Sequence, residues 1–144
     1  MNYLKFLIIC SIFYSGALGA TTSYKLWYDK PAKLWLNIIL NAVEAMSQNP
    51  PERSRTLIIS IEKGASIDDH SHYLLLSFED SGKGIGEKDL DNIFNPFFTT
   101  KDEGTGLGLA ICYGIINRHE GEIEVHSTPG KGTCFTIKLP QYIV

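Results

Sequence analysis

The sequence predicts an α+β fold, a two-layer sandwich in which helices cover one face of a mixed β-sheet. Two helix-length segments carry apolar residues at helical spacing, and several short apolar runs are separated by turn residues. A glycine-rich loop directly precedes the second long helix. At 144 residues, the chain is long enough for one domain with a core of its own.

The first long helix is predicted from its boundaries. Asp29 supplies an N-cap oxygen and Pro31 suits the first helical turn, so we expect a helix from Pro31 to Met46. Two prolines that follow Asn49 end this helix, because the residue before a proline disfavours helical backbone. A short strand over Ser23–Tyr28 is predicted in front of it.

The later elements are predicted from the same periodic patterns and turn residues. They are strands at Leu57–Glu62 and Tyr73–Glu79, a short helix at Glu87–Ile93, an irregular lid at Phe94–Thr105, a helix at Gly106–His119, and a hairpin of Ile123–Val125 with Thr133–Leu139.

Residues 1–22 form an apolar N-terminal segment that we separate from the main domain at 23–144. Lys5 precedes a stretch, residues 6–24, that contains no charged side chain. A signal peptide, a membrane anchor and an additional core element all fit this pattern, and the sequence leaves the three open. Three lysines after the stretch favour a cytoplasmic main domain; they are Lys25, Lys30 and Lys33.

Composition excludes some classes of function. The net charge is −3 and no basic stripe occurs, which argues against a nucleic-acid partner. The three cysteines, Cys10, Cys112 and Cys134, lack the spacing of a metal site or a disulfide framework. We expect Cys112 and Cys134 to be buried thiols in a protein of a reducing compartment.

The glycine-rich loop has the character of a phosphate-binding site. Gly104, Gly106 and Gly108 alternate with Thr105 and Leu107, so backbone N–H groups there can approach a phosphate closely. The helix that follows directs its N-terminal N–H groups at a bound anion. Lys101, three residues before Gly104, adds a positive charge beside this loop.

The first helix places three polar side chains on one face. Asn37, Asn41 and Glu44 occupy positions i, i+4 and i+7. Amide and carboxylate oxygens are ligands that Mg²⁺ accepts, so the face suits a magnesium site. Taken alone, the pattern is equally that of a solvated polar surface.

A second constellation follows a predicted strand. Asp80, at the strand end, can accept a hydrogen bond from the amino group of adenine, and guanine presents a carbonyl there instead. Gly82 and Gly84 let the backbone pass close to a flat base. Thr133 offers a hydroxyl at the start of the last strand. An ordinary turn and an ordinary strand residue are the alternative interpretations.

The lid contains three phenylalanines, at Phe94, Phe97 and Phe98. They either fill a core or stay exposed for a partner surface. Pro96 and the neighbouring glycines keep the segment irregular, which favours the partner interpretation.

In this order, the motifs resemble the catalytic ATP-binding domain of sensor histidine kinases, in the superfamily of gyrase, mismatch-repair and chaperone ATPases. The corresponding motifs are Asn37–Ala45 as the N box, Asp80–Gly84 as the G1 box, Phe94–Phe98 as the F box and Gly104–Gly108 as the G2 box. The amino-acid sequence of Asn95–Lys101 is similar to the corresponding motif in the nitrogen-regulator subgroup of these kinases. The resemblance implies the histidine-kinase-type ATPase fold.

The resemblance also implies a function: transfer of the γ-phosphoryl group of Mg-ATP to a histidine on a separate dimerisation domain, with a response regulator downstream. It implies that Asn37 and Asn41 hold Mg²⁺ and act in catalysis with Lys101. The residues that the resemblance implies as ATP contacts are Asn41, Asp80, Gly82, Gly84, Lys101, Gly104, Thr105, Gly106, Leu107, Gly108 and Thr133.

Departures from the family define the alternatives. The hydrolase branches place a water-activating glutamate where this chain has Asn37, which favours transfer over hydrolysis. The sequence contains no histidine box, so we expect the acceptor on another domain. The family's leading strands are replaced by the apolar segment, which predicts an uncovered sheet edge. The alternatives are a stand-alone ATP-binding module that regulates a kinase without turnover and, fitting less well, a serine kinase of an anti-sigma partner.

Overall fold

The computed structural model describes residues 7–12, 31–65, 72–101 and 104–141. Within these ranges the elements are β1 (Leu7–Ile12), α1 (Pro31–Ser47), β2 (Thr56–Ala65), β3 (His72–Asp80), α2 (Glu87–Leu90), α3 (Gly108–Arg118), β4 (Glu122–Thr128) and β5 (Gly132–Gln141). The predicted α1, the two middle strands and the closing hairpin are confirmed. The strand predicted at Ser23–Tyr28 and the boundary at residue 22 lie outside the described residues.

The sheet has the strand order β1-β2-β3-β5-β4. The pairs β2–β3, β3–β5 and β4–β5 are antiparallel, and β1 runs parallel to β2. The sheet is therefore mixed, and the predicted α+β fold class is confirmed. The expectation of an uncovered edge is corrected, since Leu7–Ile12 pairs along β2 from Thr56 to Ile61.

The core lies between the sheet and the helices. One stripe of α1 and alternate residues of β3 and β5 face each other, because i, i+4 and i+8 share a helix face and every second residue shares a sheet face. The buried members are Leu34, Ile38, Ala42, Met46, Leu76, Phe78, Phe135, Ile137 and Leu139, with Cys112 and Ile116 from α3. Full burial of a large apolar side chain contributes about 1.5–3 kcal/mol, so this layer fixes how α1 and α3 sit on the sheet.

Two predicted helices are shorter in the structure. Backbone turns replace the end of α2, where Asn92 N bonds Asp89 O and Asn95 N bonds Asn92 O. The third helix begins at Gly108 because Gly106 has φ +65°, which a right-handed helix does not accommodate.

Of the two cysteines predicted to be buried thiols, the structure confirms one. Cys112 is buried, and burial raises the pKa of its thiol to about 11, so the thiol stays protonated at neutral pH. Cys134 is half-buried instead of buried. It alternates along β5 with Thr133 and Phe135, which face the helices, so its side chain lies on the other face of the sheet.

No helix within the described ranges is long and apolar enough to cross a membrane. Most of the apolar N-terminal segment, namely residues 1–6 and 13–22, lies outside those ranges. The signal-peptide and anchor interpretations therefore stay predictions.

Candidate functional site

Asp80 occupies the last position of β3, opposite Thr133 in the β3–β5 register. It is 6% exposed, and its Oδ1 accepts a hydrogen bond from Gly82 N at 2.8 Å. Burial raises the pKa of the Asp80 carboxyl, while hydrogen bonds from the backbone of Gly82 and Thr133 and the charge of Arg53 act against this rise. The structure thus holds a desolvated, oriented carboxyl group where the sequence predicted one.

Thr133 is as deeply buried as its neighbour, at 4% exposed. Its hydroxyl shares a hydrogen bond of 3.0 Å with Ser127 Oγ, which also contacts Gly132 O at 2.9 Å and accepts from Ile85 N at 2.8 Å. Sequence reasoning missed Ser127. Its only signal was the pairing of Ser127 with Thr133 across the predicted hairpin.

Both glycines of the G1 segment are required by close backbone approach. A Cβ on Gly82 would lie 2.7 Å from Ala45 Cβ, and Gly84 combines φ +73° with a Cβ position 2.2 Å from Thr128 O. Backbone hydrogen bonds from Lys83 N to Ala45 O (3.2 Å) and from Gly130 N to Lys83 O (2.7 Å) hold the segment on both sides. The turn is therefore rigid and pressed against α1.

The polar face of α1 contacts the glycine loop and the lid. Asn37 Nδ2 donates to Gly108 O at 3.2 Å, which joins α1 to the start of α3. Lys101 Nζ donates to Asn41 Oδ1 at 2.8 Å and forms an ion pair with the Glu44 carboxylate. The structure thus brings Lys101 to Asn41 and to Glu44, two residues that the sequence analysis placed on one face of the helix, while Asn37 of the same face contacts Gly108 instead.

The glycine loop turns back on the lid. Gly106 O accepts from Phe97 N at 2.9 Å, and a Cβ on Gly106 would lie 2.4 Å from the carbonyl carbon of Phe97. Gly104 packs on Thr99, whose Oγ1 would be 2.3 Å from an added Cβ. Gly108 differs, because an added Cβ would make ordinary contact with Asn37 at 3.6 Å.

The residues that lead into α3 leave its N-terminal end open to the loop. Leu107 stands at the N-cap, where its hydrocarbon side chain cannot cap the first N–H groups, and Thr105 beside it is exposed. Such an end suits an anion.

The three lid phenylalanines have different environments. Phe97 is 76% exposed and has φ +69°, a conformation that a bulky side chain rarely adopts. Phe94 packs on Tyr113 with ring centroids 5.4 Å apart, and Phe98 packs against the core. The partner interpretation is therefore corrected for Phe94 and Phe98, and Phe97 alone of the three presents an exposed ring.

A cavity of about 350 Å³ opens at the end of the sheet beside Asp80. Its lining is polar and carries both signs of charge. It consists of Glu79, Asp80, His126, Ser127, Thr128, Lys131, Gly132, Thr133 and Cys134.

The oxygens on α1 fit a hard cation. Asn41 Oδ1 and the Glu44 carboxylate converge on one positive group, the Lys101 ammonium. The described residues contain no cluster of three His, Cys, Asp or Glu side chains suited to a metal. A magnesium ion here would complete its coordination with water and with oxygens of a bound ligand, which is the usual preference of this ion.

A strand-end carboxyl group beside paired glycines, with amides, a lysine and a glycine loop on the same helical layer, defines a nucleotide-binding domain. Residues 28–143 match the family described as histidine kinase-, DNA gyrase B-, and HSP90-like ATPase. The chain belongs to this family, whose members bind ATP. The matched region corresponds to the catalytic ATPase domain of sensor histidine kinases.

Individual relatives agree with the family. The chain is 44% identical over 115 residues to sensor histidine kinase ZraS of Escherichia coli (strain K12), a match that covers 78% of this chain and 22% of that protein. The chain therefore spans about a fifth of the length of that relative.

Solved structures share the architecture. The catalytic domain of histidine kinase ThkA superposes with a TM-score of 0.59 at 33% identity, covering 75% of this chain and 64% of that one. The mycobacterial sensor histidine kinase MprB reaches a TM-score of 0.68 at 22% identity, covering 96% of this chain and 84% of that one, and shows the fold.

Proposed function

We propose that this domain transfers the γ-phosphoryl group of Mg-ATP to a histidine on a separate dimerisation domain of a sensor kinase. The carrying observation is the buried Asp80 carboxyl group, oriented by Gly82 and positioned opposite Thr133. Desolvating a carboxyl group costs free energy unless hydrogen-bond donors compensate for the lost water. The amino group of a ligand is such a donor.

Adenine is the base that this arrangement favours. The Asp80 oxygens accept from the adenine amino group, whereas the carbonyl of guanine would face them with a second acceptor. Gly82 and Gly84 lie where side chains would collide with Ala45 and Thr128, so the turn beside Asp80 packs closely against both neighbours. Thr133, linked to Ser127, contributes a hydroxyl for a water-mediated contact.

The phosphates lie at the Lys101 end of the same helical layer in this proposal. Asn41 and Asn37 would hold Mg²⁺ through their amide oxygens, since the Asn37 Nδ2 already donates to Gly108 O. The ion supplies charge neutralisation on the triphosphate when it is bound. Lys101 moves from Asn41 and Glu44 to the phosphates, and the loop from Gly104 to Gly108 provides N–H donors.

Transfer, in place of hydrolysis, follows from the side chains on α1. The Asn37 amide cannot remove a proton from water, and the Glu44 carboxylate lies one helical turn further along α1, beyond Asn41. Positioning and charge neutralisation are then the contributions of this face, and phosphoryl transfer depends chiefly on these two.

The partner side of the proposal rests on Phe97. Its exposed ring and its left-handed backbone place an apolar group on the lid surface, where it would contact the helices that bear the acceptor histidine. A response regulator would receive the phosphoryl group next. The motif Asn95–Lys101 supports a nitrogen-regulator-like subgroup, and the need for ATP supports a cytoplasmic location, with or without a membrane anchor in residues 6–24.

The test is a transfer assay. The chain is incubated with γ-labelled ATP, Mg²⁺ and the dimerisation domain of the 44% identical relative, and acid-labile label on that domain is measured. We expect label with the wild type and none with Asp80→Asn. If the wild type binds ATP but puts no label on this dimerisation domain, the kinase proposal is contradicted. That result would favour a module that regulates a kinase without turnover.

A further inference from the structure

We propose that Arg53 is a positioning residue for adenine recognition, which holds the Gly82 backbone in place and sets a positive charge beside Asp80. The proposal rests on the function assigned above and deepens it. Arg53 Nη2 donates to Gly82 O at 2.8 Å, and Gly82 N donates to Asp80 Oδ1 at 2.8 Å. A single glycine therefore connects the guanidinium group to the carboxyl group that would read the base.

The segment that carries Arg53 is itself fastened to the G1 turn. Asn49, 5% exposed, donates through Nδ2 to Ser81 O at 2.8 Å and to Ser54 O at 3.2 Å. Ser81 N donates to Thr56 O at 3.0 Å, and Thr56 N donates to Ser81 Oγ at 2.9 Å. These bonds make the α1–β2 connection a rigid support, so the guanidinium group is held against Gly82 and little side-chain freedom remains to be lost on ligand binding.

The charge of Arg53 has a specific effect on the carboxyl group. Burial raises the pKa of Asp80, Glu79 adds to the rise, and Arg53 opposes it. The cavity beside Asp80 is lined by the ionisable groups of Glu79, His126, Lys131 and Cys134. Without Arg53, Asp80 would take up a proton at a higher pH, and a protonated carboxyl group is a poorer acceptor for the adenine amino group.

The neighbouring Arg55 provides a matched control. Its Nε donates to Met46 O at 3.0 Å and its Nη2 donates to Asn49 O at 2.7 Å. Met46 lies in the last turn of α1 and Asn49 lies two residues beyond its end, so Arg55 ties its own segment to the C-terminal end of that helix. It has the same side chain and lies in the same segment, but its contacts serve stability and not the base.

The experiment measures the affinity of a fluorescent ATP analogue as a function of pH for the wild type, Arg53→Gln and Arg55→Gln. We expect Arg53→Gln to bind about tenfold more weakly, the loss of one hydrogen bond to a charged group, with the acid limb of the profile moved to higher pH. Arg55→Gln is expected to lower Tm and leave the acid limb where it is. Arg53→Lys retains the charge but lacks the planar guanidinium group whose Nη2 donates to Gly82 O, so it is expected to weaken binding without moving the acid limb.

The outcomes separate the two levels of the proposal. A wild type that binds the analogue, with a folded Arg53→Gln of unchanged affinity and acid limb, overturns the role of Arg53 and leaves the proposed function standing. A wild type that fails to bind at any pH contradicts the proposed function, and this role with it. If Arg53→Gln does not fold, Arg53→Lys decides, because wild-type affinity in that variant overturns the role.

Discussion

Lys101 in the lid donates to Asn41 on α1 at 2.8 Å, across 60 positions of sequence. The same ammonium group pairs with Glu44, so one cation holds the lid against the face proposed to bind magnesium. The side chains of the ion pair are 43% and 55% exposed, and pairs of this kind contribute about 0–1 kcal/mol. An incoming triphosphate can therefore displace the contact at little cost.

Glu44→Gln tests this competition. Removing the carboxylate frees Lys101 for the phosphates, so we expect magnesium-free binding of an ATP analogue to tighten by about two- to fivefold, the range of a partly exposed ion pair. The gain on adding Mg²⁺ is expected to shrink. Glu87→Gln, an exposed carboxylate on α2, is the control for net charge. Identical affinities in Glu44→Gln and the wild type, with and without the ion, would show that the pair does not compete with nucleotide.

The glycine loop offers a pair of substitutions with opposite steric consequences. Gly106→Ala places a Cβ 2.4 Å from Phe97 backbone at φ +65°, so we expect a distorted lid, a loss of about 1 kcal/mol or more from the positive φ alone, and greatly weakened ATP binding. Gly108→Ala has ordinary contacts, with 3.6 Å to Asn37.

Denaturant unfolding and analogue titration are the measurements for this pair. Gly108→Ala is expected to keep wild-type stability, so any loss of its affinity reports the approach of phosphate to that backbone. Equal stability for both alanine variants would contradict the assigned backbone of Gly106.

Phe97 and Phe98 are adjacent but are predicted to behave differently. Phe97→Asn removes a ring that is 76% exposed and substitutes a residue that tolerates a positive φ, so stability should be retained or raised by up to about 1 kcal/mol. Phe98→Ala removes a ring packed against the core and should destabilise the domain by about 2 kcal/mol or more.

Thermal unfolding, analogue binding and phosphoryl transfer measured together separate the two aromatics. We expect Phe97→Asn to bind ATP normally and to transfer poorly to the dimerisation domain. Wild-type transfer by this variant would rule out a partner role for the exposed ring.

Asp80 gives a pH dependence whose sign is defined. Its folded pKa is raised above the usual value of 3.8, so between these two values the folded state binds more protons than the unfolded state. The free energy of unfolding contributed by this group therefore falls as pH rises through that window. Asp80→Asn lacks this dependence, so its stability relative to the wild type should increase as pH rises and then level off.

Urea unfolding of both proteins from pH about 4 to 8 measures this difference, since the window lies above the usual carboxyl pKa. Glu62→Gln, which replaces an exposed carboxylate on β2, serves as the control for the loss of one carboxyl group. A difference that shrinks with rising pH would contradict the raised pKa of Asp80.

Much of the fold followed from local signals. The helix from Pro31 and the closing hairpin were predicted because caps, prolines and apolar periodicity act within a few residues. The same holds for Asp80 at a strand end. The start of the third helix was missed because Gly106 adopts a positive φ, and whether a glycine does so is decided by the Phe97 backbone that it contacts.

What was missed depends on distant pairing. The contact of Lys101 with Glu44 spans 57 positions, and that of Arg53 with Gly82 spans 29. Such contacts depend on how α1 lies on the sheet, which no window of sequence encodes. The parallel pairing of β1 with β2 is another example, since its register joins Leu7 to Thr56.

The measurement that tests the central claim most directly is a titration of the wild type and Asp80→Asn with fluorescent ATP and GTP analogues, with and without Mg²⁺. Asp91→Asn, an exposed carboxylate at the end of α2, is the matched control. We predict that the wild type and Asp91→Asn bind the ATP analogue more tightly with Mg²⁺ and discriminate against the GTP analogue. Asp80→Asn is predicted to remain folded but to lose its affinity for the ATP analogue and its selectivity for adenine. Unchanged ATP affinity and selectivity in a folded Asp80→Asn would contradict the assignment of the adenine site.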